Sequence, residues 1–257
     1  MRTESALAWR LLSRQWRAGD LRLIAVAAVL AVAITTLIAA FGNRLESALL
    51  HRAADLLGAD LVLTGSTPPG AQVLPMAARE KLATARAVDF NTMLSNGDNV
   101  LLVSVRAADD AYPLRGELVI EDGDQRRAVT PGPRPGELWI DTRARDELDL
   151  SVGDAIDVGY TTLVVRAVLL DEPERGGGFV SGFGARVLMH LDDLEATGVV
   201  QPGSRVRWRT LFAGEDAAIA RVRSAIEEQR AAHEELLDVR TGSRRTASAL
   251  SRTTQFL

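Results

Sequence analysis

The residue types that most often carry catalysis stand in no spacing that a common mechanism requires. Ser181 lies in the run GGFVSGFG, but a nucleophile elbow needs glycine two residues before the serine, where this chain has Phe179. Lys81 is the only lysine, and no G-x-x-x-x-G-K-[ST] loop is present to cradle nucleotide phosphates. The run Gly176 to Gly178 lacks the preceding strand and the later acidic partner of a dinucleotide site. The sequence therefore predicts an exposed polar loop over 171–178.

Metal ligands are equally scarce. The three histidines, His51, His190 and His233, have no second His, Asp or Glu at ligand spacing on an evident face, and the chain has no cysteine. Acidic pairs such as Asp192-Asp193 do not differ from ordinary surface charge. The sequence predicts a non-catalytic protein with no cofactor and no metal, so a membrane-anchored hydrolase is the least supported hypothesis.

The strongest pattern in the chain is apolar. Leu23 to Phe41, with Ala31 near its centre, contains nineteen residues and no charge. As a helix it would be about 28 Å long, close to the hydrocarbon thickness of a bilayer. The pattern predicts one membrane-spanning helix over 21–42. A cleaved signal peptide ending near Ala39-Ala40 is the alternative, but the apolar run is longer than such peptides use.

Charge sets the expected orientation of the chain. Residues 1–22 hold five arginines against two acidic residues, whereas the whole chain carries a formal net charge of −4. Because arginine close to a span is retained in the cytoplasm, we expect a cytoplasmic N-terminus and an extracytoplasmic body. The body has no dense basic patch with interleaved aromatic residues, so no nucleic acid is expected as a partner. Without cysteine, the body must be held together by its core.

Ahead of the span, residues 5–18 have the pattern of an amphipathic helix that lies on a membrane surface. Apolar residues recur on one helical face and arginines on another, and tryptophan suits the depth of the lipid headgroups. The residues expected to contact membrane lipid are Trp9, Arg10, Arg14, Trp16 and Arg17. An ordinary cytoplasmic lead-in over 1–20 is the alternative.

The body, residues 43–257, is predicted to be an α+β domain of short strands with helices at both ends. Helices are predicted over 43–57, 75–85, 142–148, 191–197, 215–232 and 244–257. Strands are predicted over 59–64, 88–94, 100–106, 117–121, 127–130, 137–141, 155–159, 161–170, 186–190 and 205–212. Gly58 should stop the first helix, and Asp122-Gly123 predicts a hairpin turn. The segment PGPRPG at 131–136 is a candidate subdomain boundary.

Two of these elements carry predictions for individual side chains. In the helix over 215–232, the buried stripe is expected to be Ile219, Val222 and Ile226. The strand RVRWRTLF at 205–212 alternates strictly, which predicts that every second residue faces the core: Val206, Trp208, Thr210 and Phe212. The arginines between them are expected to face solvent, as are the pairs 126–127 and 244–245.

Phrases along most of the chain resemble one family of membrane proteins. They are LAWRLLSRQWRAGDLRLI at 7–24, LLGADLVLTGSTP at 56–68, AYPLRGEL at 111–118, PGELWID at 135–141, LLDEPERGGGF at 169–179 and ARVLMHLDDLEATGVVQPGSRVRWR at 185–209. In their order and spacing they resemble the first part of the FtsX-like, MacB-type ABC transporter permeases, in particular the YbbP-type branch.

The resemblance implies one transmembrane helix followed by a MacB-like periplasmic core domain, in a permease of the bacterial inner (plasma) membrane. It further implies a separate cytoplasmic ABC ATPase subunit, a second permease copy, an extracytoplasmic esterase-like partner, and export or extrusion of a hydrophobic or lipid-like substrate. The helix from Asn43 and the helix at 244–257 would be two stalks that carry the domain.

Permeases of this family are much longer than this chain and have further spans after the domain. The chain is therefore expected to be an N-terminal fragment, with the helix at 244–257 leading to a missing second span. A hypothesis of another class is a single-span, membrane-anchored binding or scaffold protein with a non-catalytic extracytoplasmic domain.

Overall fold

The structure is a computed structural model that describes residues 20–122, 125–173, 184–201 and 203–239. It divides into two compact units, Met1–Leu49 and Leu50–Leu257. The predicted surface segment, with Trp9, Arg10, Arg14, Trp16 and Arg17, lies outside the described residues. So do Ser181 and the predicted helix at 244–257.

Helix α1, Asp20–Leu57, contains the whole apolar run. Leu23 and Phe41 are 72% and 67% exposed, and Ala31 is also exposed. The hydroxyls of Thr35 and Thr36 donate to the carbonyls of Ala31 and Val32, each at 2.8 Å, so both polar groups are satisfied within the helix. In the part of the chain that the structure describes, no helix combines the length and apolarity expected of a membrane span. The span over 21–42 stays a prediction.

The Leu50–Leu257 unit contains one large mixed sheet and four short or medium helices among its described residues. The strands are β1 Leu61–Gly65, β2 Ala83–Asn96, β3 Asn99–Ala108, β4 Leu118–Asp122, β5 Gln125–Val129, β6 Glu137–Asp141, β7 Ala155–Val158, β8 Thr161–Asp171, β9 Ala185–His190, β10 Arg207–Ala213 and β11 Glu235–Asp238. The helices are α2 Val73–Arg79, α3 Thr142–Leu148, α4 Leu194–Thr197, which follows a 3₁₀ turn at Leu191–Asp193, and α5 Asp216–Gln229.

The described strands lie in the order β11-β1-β10-β2-β3-β9-β6-β8-β4-β5, with β7 paired to β8. The pairs β3–β9 and β6–β8 are parallel and the other pairs are antiparallel. The sheet buries apolar side chains on both faces, since Val105 and Leu188 lie on opposite faces and belong to separate apolar clusters. The segment at 131–136 is a loop between β5 and β6. Strand β4, earlier in the chain, and strand β6, after the loop, both pair with β8.

The first and last described strands are neighbours at one edge of this sheet. Helix α1 ends at Leu57, Gly58 follows with φ +71°, and β1 begins at Leu61. Gly58 provides the left-handed stop that the sequence predicts, since its missing Cβ removes the penalty for positive φ. Leu61, at the start of β1, lies opposite Asp238, at the end of β11. The chain therefore enters and leaves the sheet at adjacent positions.

Most predicted elements of the body are confirmed with small changes in their ends. Ile219, Val222 and Ile226 form the buried stripe of α5 as predicted. The helix predicted over 75–85 is shorter, because α2 ends at Arg79 and the chain enters β2 at Ala83. The hairpin of β4 and β5 is present, although its turn falls on undescribed residues.

One side-chain prediction is wrong. The arginines of the strand at 205–212 do not all face solvent, because Arg209 is only 3% exposed and Arg207 is half-buried. Thr210 and Phe212 are buried as predicted, while Val206 and Trp208 are only partly buried. The reason is that both faces of this strand are covered, since Leu211 and Phe212 pack into different apolar clusters, and the carboxylate of Asp89 on β2 accepts from Arg209.

Candidate functional site

A cleft of about 620 Å³ opens where β10, β2, β3 and β9 lie side by side. Its lining includes four arginines and two carboxylates among small polar and apolar residues: Ser66, Asp89, Phe90, Asn91, Ser104, Arg106, Glu172, Arg186, Val187, Ser204, Arg205, Val206 and Arg207. The cleft is therefore cationic, although the chain as a whole carries a net charge of −4.

Strand register brings these charges together. Asp89 on β2 lies directly opposite Arg106 on β3 and directly opposite Arg207 on β10. On the other side of β3, Ser104 lies opposite Arg186 of β9. Directly paired residues share a face of the sheet, and so do residues two apart on one strand, so two adjacent polar rows lie on one face across four strands.

Asp89 is the centre of a buried ion cluster. Its two carboxylate oxygens accept from Nε and Nη2 of Arg106 at 2.7 and 3.0 Å, a bidentate arrangement that is the strongest geometry for this pair. Arg209 Nη1 approaches the same carboxylate at 3.3 Å. The side chains of Arg106 and Arg209 are 7% and 2% exposed and that of Asp89 is 22% exposed, so Asp89 offsets part of the positive charge of two buried guanidinium groups.

The electrostatics of Asp89 follow from these contacts. Burial opposes ionisation of the carboxyl group, but the charges and hydrogen bonds of Arg106 and Arg209 outweigh it and lower the pKa of Asp89 to about 2. Burial likewise disfavours the charged form of Arg106, and Asp89 reverses that effect and raises the pKa of Arg106 above its ordinary value. Both groups are charged at any physiological pH.

Two further contacts join this cluster to the loops around the cleft. Arg106 Nη1 donates to the hydroxyl of Tyr112 at 2.7 Å, and that hydroxyl lies 3.5 Å from the carbonyl of Pro173. Arg186 pairs with Glu172, and both side chains are largely buried, at 14% and 5% exposure. The inner wall of the cleft is therefore fixed by paired charges.

The outer wall is different. Arg205, in the loop before β10, is exposed and forms no ion pair with any residue of the described ranges. Farther along the hairpin of β2 and β3, the polar row gives way to Asn91 opposite Ser104 and then to Met93 opposite Leu102. Met93 and Leu102 are 53% and 55% exposed.

The arrangement is suited to binding an anion and offers no evident machinery for bond cleavage. Guanidinium groups recognise the geometry of a phosphate or a carboxylate. In this cleft, each of the two deep carboxylates is either shared between guanidinium groups or paired with one. In the parts of the chain that are described, no three His, Asp or Glu side chains are placed to hold a metal.

Two of the histidines that the sequence excludes as metal ligands, His190 and His233, have polar neighbours in the structure. His190 is buried, with Nε2 at 3.4 Å from Asp110 and Nδ1 at 3.6 Å from Asp192. Its Nδ1 also lies 3.2 Å from the backbone nitrogen of Asp192, which caps the 3₁₀ turn. His233 is exposed and lies 2.9 Å from the hydroxyl of Thr67.

None of the residues that line this cleft is predicted from the sequence to be a binding residue. Leu23, Ala31 and Phe41, predicted for the membrane span, lie on α1 and not in the cleft. One signal was available: Arg106 interrupts an apolar strand, between Val105 and Ala107, and a charge there needs a partner if the strand is covered on both faces. Its partner Asp89 is equally isolated, between Val88 and Phe90.

The chain was compared with known proteins. Residues 23–246 match the family described as the MacB-like periplasmic core domain. A curated relative from Escherichia coli (strain K12), an uncharacterized ABC transporter permease named YbbP, is 33% identical over 205 residues. The match covers 79% of this chain and 24% of that relative, so the chain spans about a quarter of the relative's length.

A solved structure of similar fold is the periplasmic region of MacB from Actinobacillus actinomycetemcomitans. It matches with a TM-score of 0.50 and 10% identity, over 77% of this chain and 97% of that one. At this identity the likeness concerns the fold alone.

Proposed function

The chain belongs to the family of MacB-like periplasmic core domains of ABC transporter permeases, and from that premise we propose that it is the N-terminal part of a permease subunit. In this proposal a separate cytoplasmic subunit hydrolyses ATP, and the resulting motion of membrane helices passes to the periplasmic domain. The domain then drives export or extrusion of a hydrophobic or lipid-like substrate. A second permease copy and an extracytoplasmic esterase-like partner complete the proposed assembly.

The observation that carries this proposal is the adjacency of the two chain connections. Leu61 of β1 and Asp238 of β11 are paired at one edge of the sheet, so both segments that join the domain to the rest of a longer permease start side by side. A movement of those segments would act on a single edge of one continuous sheet. A sheet with covered, closely packed faces transmits such a movement without absorbing it.

The proposal places residues 21–42 in the membrane, with residues 1–20 in the cytoplasm. Support comes from the nineteen charge-free residues within α1 and from Thr35 and Thr36, whose hydroxyls need no outside partner. The chain has no cysteine, so Asp98→Cys and Ser5→Cys each introduce a single thiol. In intact bacterial cells, we expect a membrane-impermeant maleimide to label the first and not the second. Equal labelling of both would contradict this topology.

The coupling to ATP is tested with the full-length protein. We expect it to copurify with a cytoplasmic ABC ATPase encoded by a neighbouring gene and to change the rate of ATP hydrolysis in a reconstituted membrane. A membrane-anchored scaffold protein would show neither property. Absence of any ATPase in the purified complex, together with a stable cellular product of 257 residues, would favour that scaffold over the permease.

A further inference from the structure

The cleft and the apolar side chains beyond it lie on one continuous face of the β2–β3 hairpin. Successive cross-strand pairs on this face are Asp89 with Arg106, Asn91 with Ser104, Met93 with Leu102, and Ser95 with Val100. Two residues of strand advance about 7 Å, so the face runs about 20 Å from buried charge to exposed apolar surface.

The apolar end of this face is exposed for a structural reason. The register of β10 with β2 ends at Asp89, and that of β9 with β3 begins at Val103, so the hairpin extends past both neighbouring strands. Its other face is covered, since Leu94 is buried and Asn96 donates to the carbonyl of Leu148 at 2.9 Å. Val100, by contrast, is 60% exposed on the open face.

We infer that this face is one binding site for an amphiphile with an anionic headgroup, a phosphate or a carboxylate, and a hydrocarbon tail. The arginine-rich cleft receives the headgroup, and the apolar strip of Met93, Leu102 and Val100 receives the tail. This inference rests on the proposed function, because it names the substrate class of the same domain.

Three properties of the site favour this occupant. Four lining arginines against two carboxylates give the cleft an excess of positive charge. Its volume of about 620 Å³ lies in the range of small-ligand sites, which commonly span about 300 to 1,000 Å³. The apolar strip begins one cross-strand pair beyond the cleft residues Asn91 and Ser104, so a single molecule reaches both.

The test uses full-length protein in zwitterionic nanodiscs, without ATP, and a photoreactive diazirine analogue of oleate as the probe. Oleate and 1-oleoyl lysophosphatidate compete as carboxylate and phosphate sources with the same tail. We expect at least one of them to displace the probe about tenfold better than neutral monoolein or inorganic phosphate, because each control lacks one half of the ligand. The labelled peptides should come from the hairpin or the cleft.

Two matched pairs of variants locate the site. Arg205→Gln should weaken binding about tenfold, while Arg126→Gln, an exposed arginine on edge strand β5, should leave it unchanged. Val100→Asp should weaken binding by a similar factor, while Val152→Asp should not, although Val152 is also 57% exposed. All four side chains are exposed or largely exposed, so folding should be preserved.

Equal effects within either pair would overturn the inference. The inference would also be overturned if inorganic phosphate displaced the probe as effectively as lysophosphatidate, because the apolar strip would then contribute nothing to binding. Stronger displacement by an acidic peptide than by either amphiphile would assign the face to a protein partner instead. Because binding is measured without ATP, its failure is distinct from a failure of ATP coupling, which the ATPase measurement reports.

Discussion

The two faces of the β2–β3 hairpin contain different kinds of side chain. On one face Phe90, Leu94, Leu101 and Val103 are at most 8% exposed and belong to the largest apolar cluster of the domain. On the other face, the base holds the Asp89 ion cluster and the tip leaves Leu102 more than half exposed. The same two strands therefore hold the fold together on one face and leave charged and exposed apolar side chains on the other.

The two faces are stabilised by different physical effects. Apolar burial is non-directional and secures the covered face, whereas paired charges fix the geometry of the opposite face at specific atoms. Substitutions on the two faces should separate these effects.

The largest loss of stability is expected from Asp89→Ala at the base of the open face. The change leaves Arg106 and Arg209 buried without their shared carboxylate, and breaking a buried pair in this way costs about 3–5 kcal/mol. Chemical denaturation of the variant would measure the difference. A loss below about 1 kcal/mol would show that water or another carboxylate replaces Asp89.

A loss of about 2–5 kcal/mol is expected from Leu94→Ala on the covered face. Leu94 is fully buried, so truncation removes apolar contact and leaves a cavity. The free energy of unfolding from a urea titration tests this value. Near-neutral behaviour would mean that the covered face is not the stabilising one.

The third expected effect is a loss of folding stability at acidic pH. The pKa of Asp89 is about 2 in the folded protein and its ordinary value is 3.8, so its ionised form stabilises the fold above about pH 4. That contribution, about 2 kcal/mol, is lost as pH falls from 4 through 2. Unfolding curves at pH 5, 4 and 3 should show wild type losing more stability than Asp89→Asn. Parallel losses in both proteins would remove Asp89 as the cause.

The smallest effect is expected from Leu102→Ala at the tip of the open face. Leu102 is 55% exposed, so its truncation should change the free energy of unfolding by at most about 0.5 kcal/mol. The comparison with Leu94→Ala is direct, because both remove the same atoms from one hairpin. A cost as large as that of Leu94→Ala would show that the tip is covered in solution.

Local patterns in the sequence were enough to predict much of the fold. The resemblance to MacB-type permeases is confirmed, and so are the stop at Gly58, the strand over 137–141 and the buried stripe of α5. These features depend on neighbours within a few residues, and periodicity and turn chemistry report such neighbours well.

The cleft could not be predicted because its residues come from distant parts of the chain. Asp89 and Arg209 are 120 residues apart and meet only because β10 inserts beside β2. The alternation of RVRWRTLF indicates two faces but does not say that both are covered, which is why it wrongly predicts that Arg209 faces solvent. The packing of distant segments on each face, which sequence periodicity does not contain, decides that question.

The proposed function requires that the domain is driven through its adjacent connections at β1 and β11. It is tested most directly by inserting a flexible Gly-Ser segment at Gly42-Asn43 of the full-length permease and measuring substrate released per ATP hydrolysed. The control is the same insertion at Gly123-Asp124, between β4 and β5 at the opposite edge of the sheet. We expect the first insertion to abolish release while ATP hydrolysis and membrane insertion continue, and the control insertion to preserve release. Unchanged release per ATP with the insertion at Gly42-Asn43 would contradict it.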